Sequence, residues 1–233
     1  MDLKISEAAI TVSFVQDNFI RLKQQKAEEI YKNISDKPSA NTNAPDTANP
    51  ATPRIIIKDA LKGIAVSQVS AQLSMLFEKT GDLNKQIETL MENTDLFFND
   101  TKVFQGESNI KDAAISAVFL IPSGKPLNEL NSYLFTEYSN FVPLGEIVGT
   151  YHRTGFKAEN NLFVGLEVGT YWQKGAEGQN SESGGYLVKA EINNKLAFLN
   201  SSASVLIKPD DVKAKFKSLI DKDIEKFFKH ELL

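Results

Sequence analysis

Two near-identical octapeptides, VGTYHRTG at 148–155 and VGTYWQKG at 168–175, hold the side chains of this chain best suited to recognising another molecule. Tyr151, His152, Arg153, Tyr171, Trp172 and Lys174 combine flat apolar rings with directed donors, the residue types that dominate binding hot spots. As a strand, each copy places Val, Thr and His152 or Trp172 on one face, with Gly, Tyr and Arg153 or Gln173 on the other. The functional expectation is an aromatic and polar surface that binds a partner or a small ligand. The architectural alternative is that the glycines ease sheet curvature while the aromatics cover a core.

Reactive chemistry finds little support. The chain has no cysteine, so thiolate catalysis, disulfides and Cys-ligated metals are excluded. His152 and His230 are the only histidines and form no HExxH pair, which leaves no two-histidine metal site. There is no GxSxG elbow and no GxGxxG, and IPSGKPL at 121–127 lacks both the first glycine and the Ser or Thr of a phosphate loop. Glu146 and Glu167, one near each repeat copy, are the pair that a glutamate-based hydrolase would use if the two acids shared a cleft. The loop KGAEGQNSESGG at 174–185 follows the second copy and matches no calcium-binding spacing. The reading is therefore no catalytic residue, no metal and no cofactor.

Net charge is −4, and the charged residues are interspersed, so no concentrated positive face is available for nucleic acid. No run of apolar residues is long enough for a transmembrane helix, and the first 20 residues lack the pattern of a cleaved signal. A cytoplasmic location follows by default, with export lacking a signal left open.

The elements that must position these residues read as follows. Residues 3–14 alternate like a strand, and from Val15 to Ile34 the spacing becomes that of an amphipathic helix. Residues 35–54 carry four of the eight prolines and no large apolar side chain, the composition of a flexible linker. IIIK at 55–58 reads as a strand, and Asp59 as the cap of a helix running to Lys79. Gly81 and Asp82 separate that helix from one over 83–98, and the two are expected to pack as a hairpin. A buried strand spans 112–121, and a helix opens at Pro126.

Four strands follow, at 144–153, 161–173, 184–193 and 195–208, with a turn at Asn193–Asn194. A helix over 209–233 has acids at its start, bases toward its end and a wide apolar stripe. The expected fold is a soluble α+β domain over 55–233, an antiparallel four-stranded meander (144–208) covered by the C-terminal helix and preceded by a helical hairpin. A strand and helix arm over 1–34 hangs on the 35–54 linker.

This organisation predicts a non-enzymatic interaction or assembly protein. It would bind a protein partner, or itself, through the α+β domain and the tethered N-terminal helix. The alternative is a small-molecule or carbohydrate-binding module using the aromatic repeat, and the third reading is the glutamate-based hydrolase.

Overall fold

The computed structural model describes residues 3–34, 44–78, 81–139, 141–158, 162–173, 183–194 and 209–220. Eight strands form one antiparallel sheet: β1 (Lys4–Phe14), β2 (Ile55–Lys58), β3 (Lys62–Val66), β4 (Ser70–Leu76), β5 (Ile110–Ser123), β6 (Tyr151–Lys157), β7 (Phe163–Gln173) and β8 (Ser183–Asn193). Their spatial order is β2-β3-β4-β1-β5-β8-β7-β6. The helices are α1 (Gln24–Ile30), α2 (Leu83–Gln105), α3 (Leu127–Tyr138) and α4 (Pro209–Ser218), and no helix among the described residues is long and apolar enough to cross a membrane.

One topology occurs twice. Strand, helix, three-stranded meander and helix run as β1, α1, β2-β3-β4, α2, and again as β5, α3, β6-β7-β8, α4. The halves join where β1 and β5 pair antiparallel around Ile10 and Ile115.

Alternation sets the layers. On β1, Ile5, Ala8, Ile10, Val12 and Phe14 are buried toward the helices, while Ala9, Thr11 and Ser13 face the other way. A register shift between Ile5 and Glu7 interrupts the ladder. There the buried Gln86 of α2 substitutes for a strand neighbour: Ile5 N–H donates to Gln86 Oε1 (2.8 Å), and Gln86 Nε2 donates to the Ile5 carbonyl (3.2 Å). Phe216 of α4 stacks on Phe119 of β5 at 6.2 Å between ring centroids.

The structure corrects the expected fold class. The described residues form an eight-stranded sheet with four helices, not a four-stranded meander under a long C-terminal helix. The stretch expected to be a helix over 59–79 is the hairpin β3-β4, with Ile64, Val66, Ala71, Leu73 and Met75 buried and Leu61 and Leu76 exposed. The misreading has a physical cause. Leu61, Ala65, Val69 and Leu73 are four apart, and a spacing of four is a helical neighbour and also two full strand repeats. Asp59 does accept backbone N–H bonds, but from Leu61 (2.9 Å) and Lys62 (2.7 Å), so it closes the β2-β3 turn rather than capping a helix. Asp82 caps α2 as expected, accepting from Asn84 N–H at 2.7 Å.

The N-terminal segment is not a separate arm. β1 lies in the middle of the sheet, and the helix expected from Val15 is broken into short turns around α1. Tyr31 locks this region to α2, stacked on Phe97 and tilted against Phe104, with its hydroxyl 3.1 Å from Thr101 Oγ1. Within the expected linker, residues 44–54 turn around the buried Arg54, whose guanidinium donates to the Ala48 and Thr52 carbonyls. The strand expected over 195–208, residues 35–43 and the helix beyond Ile220 lie outside the described residues.

Candidate functional site

The second copy lies in β7 as its alternation predicts, but the strand expected over 144–153 begins only at Tyr151 and runs to Lys157, so Val148, Gly149 and Thr150 of the first copy precede β6. β6 pairs with β7 through Tyr151 and Gly169, Arg153 and Glu167, Gly155 and Gly165. These residues lie on the face away from the helices. His152 and Trp172 lie on the helix side, so the six predicted residues do not converge on one surface. Lys174 and residues 175–182 lie outside the described residues, while Ser183, Gly184 and Gly185, expected in the same loop, open β8.

Each feature of the repeat has a packing partner. The Tyr151 ring lies against Gly169, where an added Cβ would stand 3.6 Å from Tyr151 Cδ2. Tyr171 covers Gly185 of β8 in the same way, and Phe163 covers Gly155. Three rings thus rest on glycines of neighbouring strands, which have no side chain to keep them off. The threonines of the two copies meet at one residue of α3. Thr150 Oγ1 donates to the carbonyl of Asn131 at 3.0 Å, and Thr170 Oγ1 donates to its side-chain oxygen at 2.7 Å. Asn131 is buried, and sequence reasoning missed it. The signal was a polar residue next to Leu130 and one turn from Leu127 and Leu134, on the apolar face of its helix.

His152 stacks on Tyr138 of α3 at 4.5 Å, and its Nε2 lies 2.8 Å from Thr154 Oγ1. Arg153 Nε is 3.2 Å from Glu167 Oε1, and Glu167 has Lys189 of β8 as its other cross-strand partner. A hydrogen bond to Glu167 raises the Tyr151 phenol above its ordinary value. Burial and then the neighbouring Tyr133 push Tyr186 up to about 12. Glu167 therefore sits between two cations, while Glu146 lies in the irregular stretch before β6. The two acids are not strand neighbours, and no cluster of three or more metal-ligating side chains is present among the described residues.

What sequence reasoning also missed is the segment leading into β6. Phe141, Val142, Leu144 and Val148 are all strongly exposed, Val148 at 82%. Tyr151 and Phe156 of β6 and Trp172 of β7 are also exposed, Tyr151 on the open face and the other two on the helix side. A cleft of about 580 Å³ opens here, lined by Leu127, Val148, Thr150, Tyr151, Trp172 and Leu187. The signal was the run FVPLGEIV, apolar yet interrupted by Pro143 and Gly145, which keep it from forming a long strand.

The open face of the sheet offers a second hollow, of about 420 Å³. Small side chains line its middle, among them Ala9, Thr11, Ser13, Ser70, Ala114 and Ser116. No protein-family model, curated protein or solved structure matches this chain.

Proposed function

We propose that this is a non-enzymatic interaction or assembly protein, whose recognition element is the β6 edge with its apolar approach segment. The observation that carries the reading is the distribution of exposed large apolar side chains. Phe141, Val142, Leu144 and Val148 are all exposed in the short segment that leads into β6, and exposed apolar side chains gathered in this way mark interaction sites; Tyr151, Phe156 and Trp172 are exposed on the two faces of the strands beyond it. Among the described residues β6 pairs only with β7, so one row of its backbone donors and acceptors is available to an added strand. Phe19 and Leu22, exposed just before α1, form a smaller second patch through which the N-terminal helical region contributes.

The test is a photo-crosslinking residue at Val148 in the native cell, with Val103 as control. Val103 is exposed but lies on α2, remote in sequence from the β6 edge. A discrete adduct at position 148 that is absent at 103 is the expected result. No adduct, or the same adducts at both positions, overturns the reading.

The cleft bordered by Tyr151 and Trp172 supports a second reading, a small-molecule or carbohydrate site in which a sugar or other flat ligand stacks on the indole. A ligand panel that raises Tm and shifts Trp172 fluorescence would favour it.

A further inference from the structure

Resting on the protein-binding reading above, we infer that the occupant of the β6 edge is a second copy of this chain, joined by antiparallel pairing of β6 with β6 about a two-fold axis at Thr154.

The argument begins from how the two sheet edges differ. β2, at one edge, is four residues long and begins two residues after Pro53. Short length and a nearby proline are devices that keep an edge from pairing, whereas a terminal lysine, Lys58 or Lys157, is common to both edges. β6, at the other edge, has seven residues, no proline and no bulge in its pairing with β7. It is flanked by the exposed Phe141, Val142, Leu144 and Val148.

Sequence then selects the register. A two-fold axis normal to the sheet keeps the helices of both copies on one side and pairs residues of the same face. Three centred registers pair five residues or more. Centring on Arg153 sets Arg153 against itself, and centring on Gly155 sets Arg153 against Lys157; both place like charges opposite each other. Centring on Thr154 pairs all seven residues and opposes no like charges. Tyr151 then faces Lys157, a cation beside a ring, and His152 faces Phe156, an aromatic pair. Arg153 faces Gly155, over which the Phe163 ring already lies, and Thr154 faces Thr154 on the axis. The segment before β6, with its exposed Val148, runs on past Tyr151 alongside Ala158 of the other copy, so the contact extends beyond the strand pair toward the ~800 Å² per partner of a stable interface.

Two measurements on the full chain test this. Sedimentation at about 10–100 μM, the range that separates weak from stable self-association, is expected to give twice the 25.8 kDa chain mass. The chain has no cysteine, so Thr154→Cys introduces a single thiol whose only counterpart in a dimer is its own copy across the axis. Mild oxidation of Thr154→Cys is expected to give a disulfide-linked dimer, while Val103→Cys, exposed on α2, stays uncrosslinked. A dimer in which Thr154→Cys does not crosslink faster than Val103→Cys overturns the pairing. A monomer that still gives a discrete Val148 adduct with a different protein overturns the second copy and leaves the protein-binding reading standing. A monomer with no adduct overturns both.

Discussion

Thr170 of β7 donates its hydroxyl to the side-chain oxygen of Asn131 at 2.7 Å, and this bond ties the second repeat copy to α3. Thr150 donates to the backbone carbonyl of the same residue, so one buried position of α3 meets both copies, its side chain the second copy alone. Thr170→Val should cost about 1 kcal/mol, the net worth of a typical hydrogen bond. Asn131→Ala should cost more, about 1–3 kcal/mol, because it leaves the Thr170 hydroxyl without its acceptor in a partly buried site, while Thr150 keeps the backbone carbonyl. At roughly 2–4 °C per kcal/mol for a chain of this size, calorimetry separates the two. Equal Tm values for wild type and Asn131→Ala would remove the amide from its holding role.

The glycines of the second meander should show graded tolerance. An alanine at Gly185 would run into the Ile121 carbonyl oxygen, which is backbone and cannot swing away. At Gly155 the obstacle is the tip of the Phe163 ring, and at Gly124 there is nothing within 4 Å. Gly185→Ala should therefore lose about 1–3 kcal/mol as an overpacked site, Gly155→Ala less, and Gly124→Ala close to nothing. Denaturant midpoints give the order, and a neutral Gly185→Ala would contradict the close strand approach.

Burial raises the Asp100 carboxyl above its ordinary value of 3.8, and one of its oxygens is buried without a hydrogen-bond partner. A folded-state value above the unfolded one means that this group supports folding fully only at pH below 3.8, and that the support is lost as pH rises through the raised value. Asp100→Asn should accordingly raise Tm by a few degrees at neutral pH, with the advantage vanishing in acid. The comparison needs only thermal melts of both proteins at several pH values.

Trp172 is 46% exposed on the helix side of β7 and is the chain's only tryptophan. Its emission should be red-shifted and readily quenched by acrylamide in the monomer. A blue-shifted, shielded spectrum would mean that the cleft beside it is filled.

Local alternation made much of this legible beforehand. The strand character of β1, β7 and β8 follows from apolar residues two apart and that of β2 and β5 from short runs rich in β-branched and aromatic residues, while the division of Tyr151 and Arg153 from His152 and Trp172 follows from the period of two. The centre of the sheet was hidden because nothing local in LKISEAAITVSF says that Ile10 will lie between Leu73 and Ile115. The doubled topology was hidden for a related reason. Its halves share an order of elements and no residues comparable to the VGTY repeat, so only the pairing reveals it. At the candidate site, the aromatic side chains announced themselves, whereas Asn131 looked like any helix asparagine until the strands closed over it.

The central position of β1 bears on how the chain is made. During synthesis β1 leaves the ribosome well before either strand that flanks it, since Ile10 must wait for Leu73 and then for Ile115. At about 5–20 residues per second, a strand rich in β-branched side chains stays unpaired for several seconds. The first half can form β2-β3-β4 on its own, but β1 keeps one open edge until β5 is complete. A nascent chain of this protein therefore needs that edge shielded, and stalling the ribosome before Ile110 should yield a species far more prone to aggregate than one stalled after Ser123.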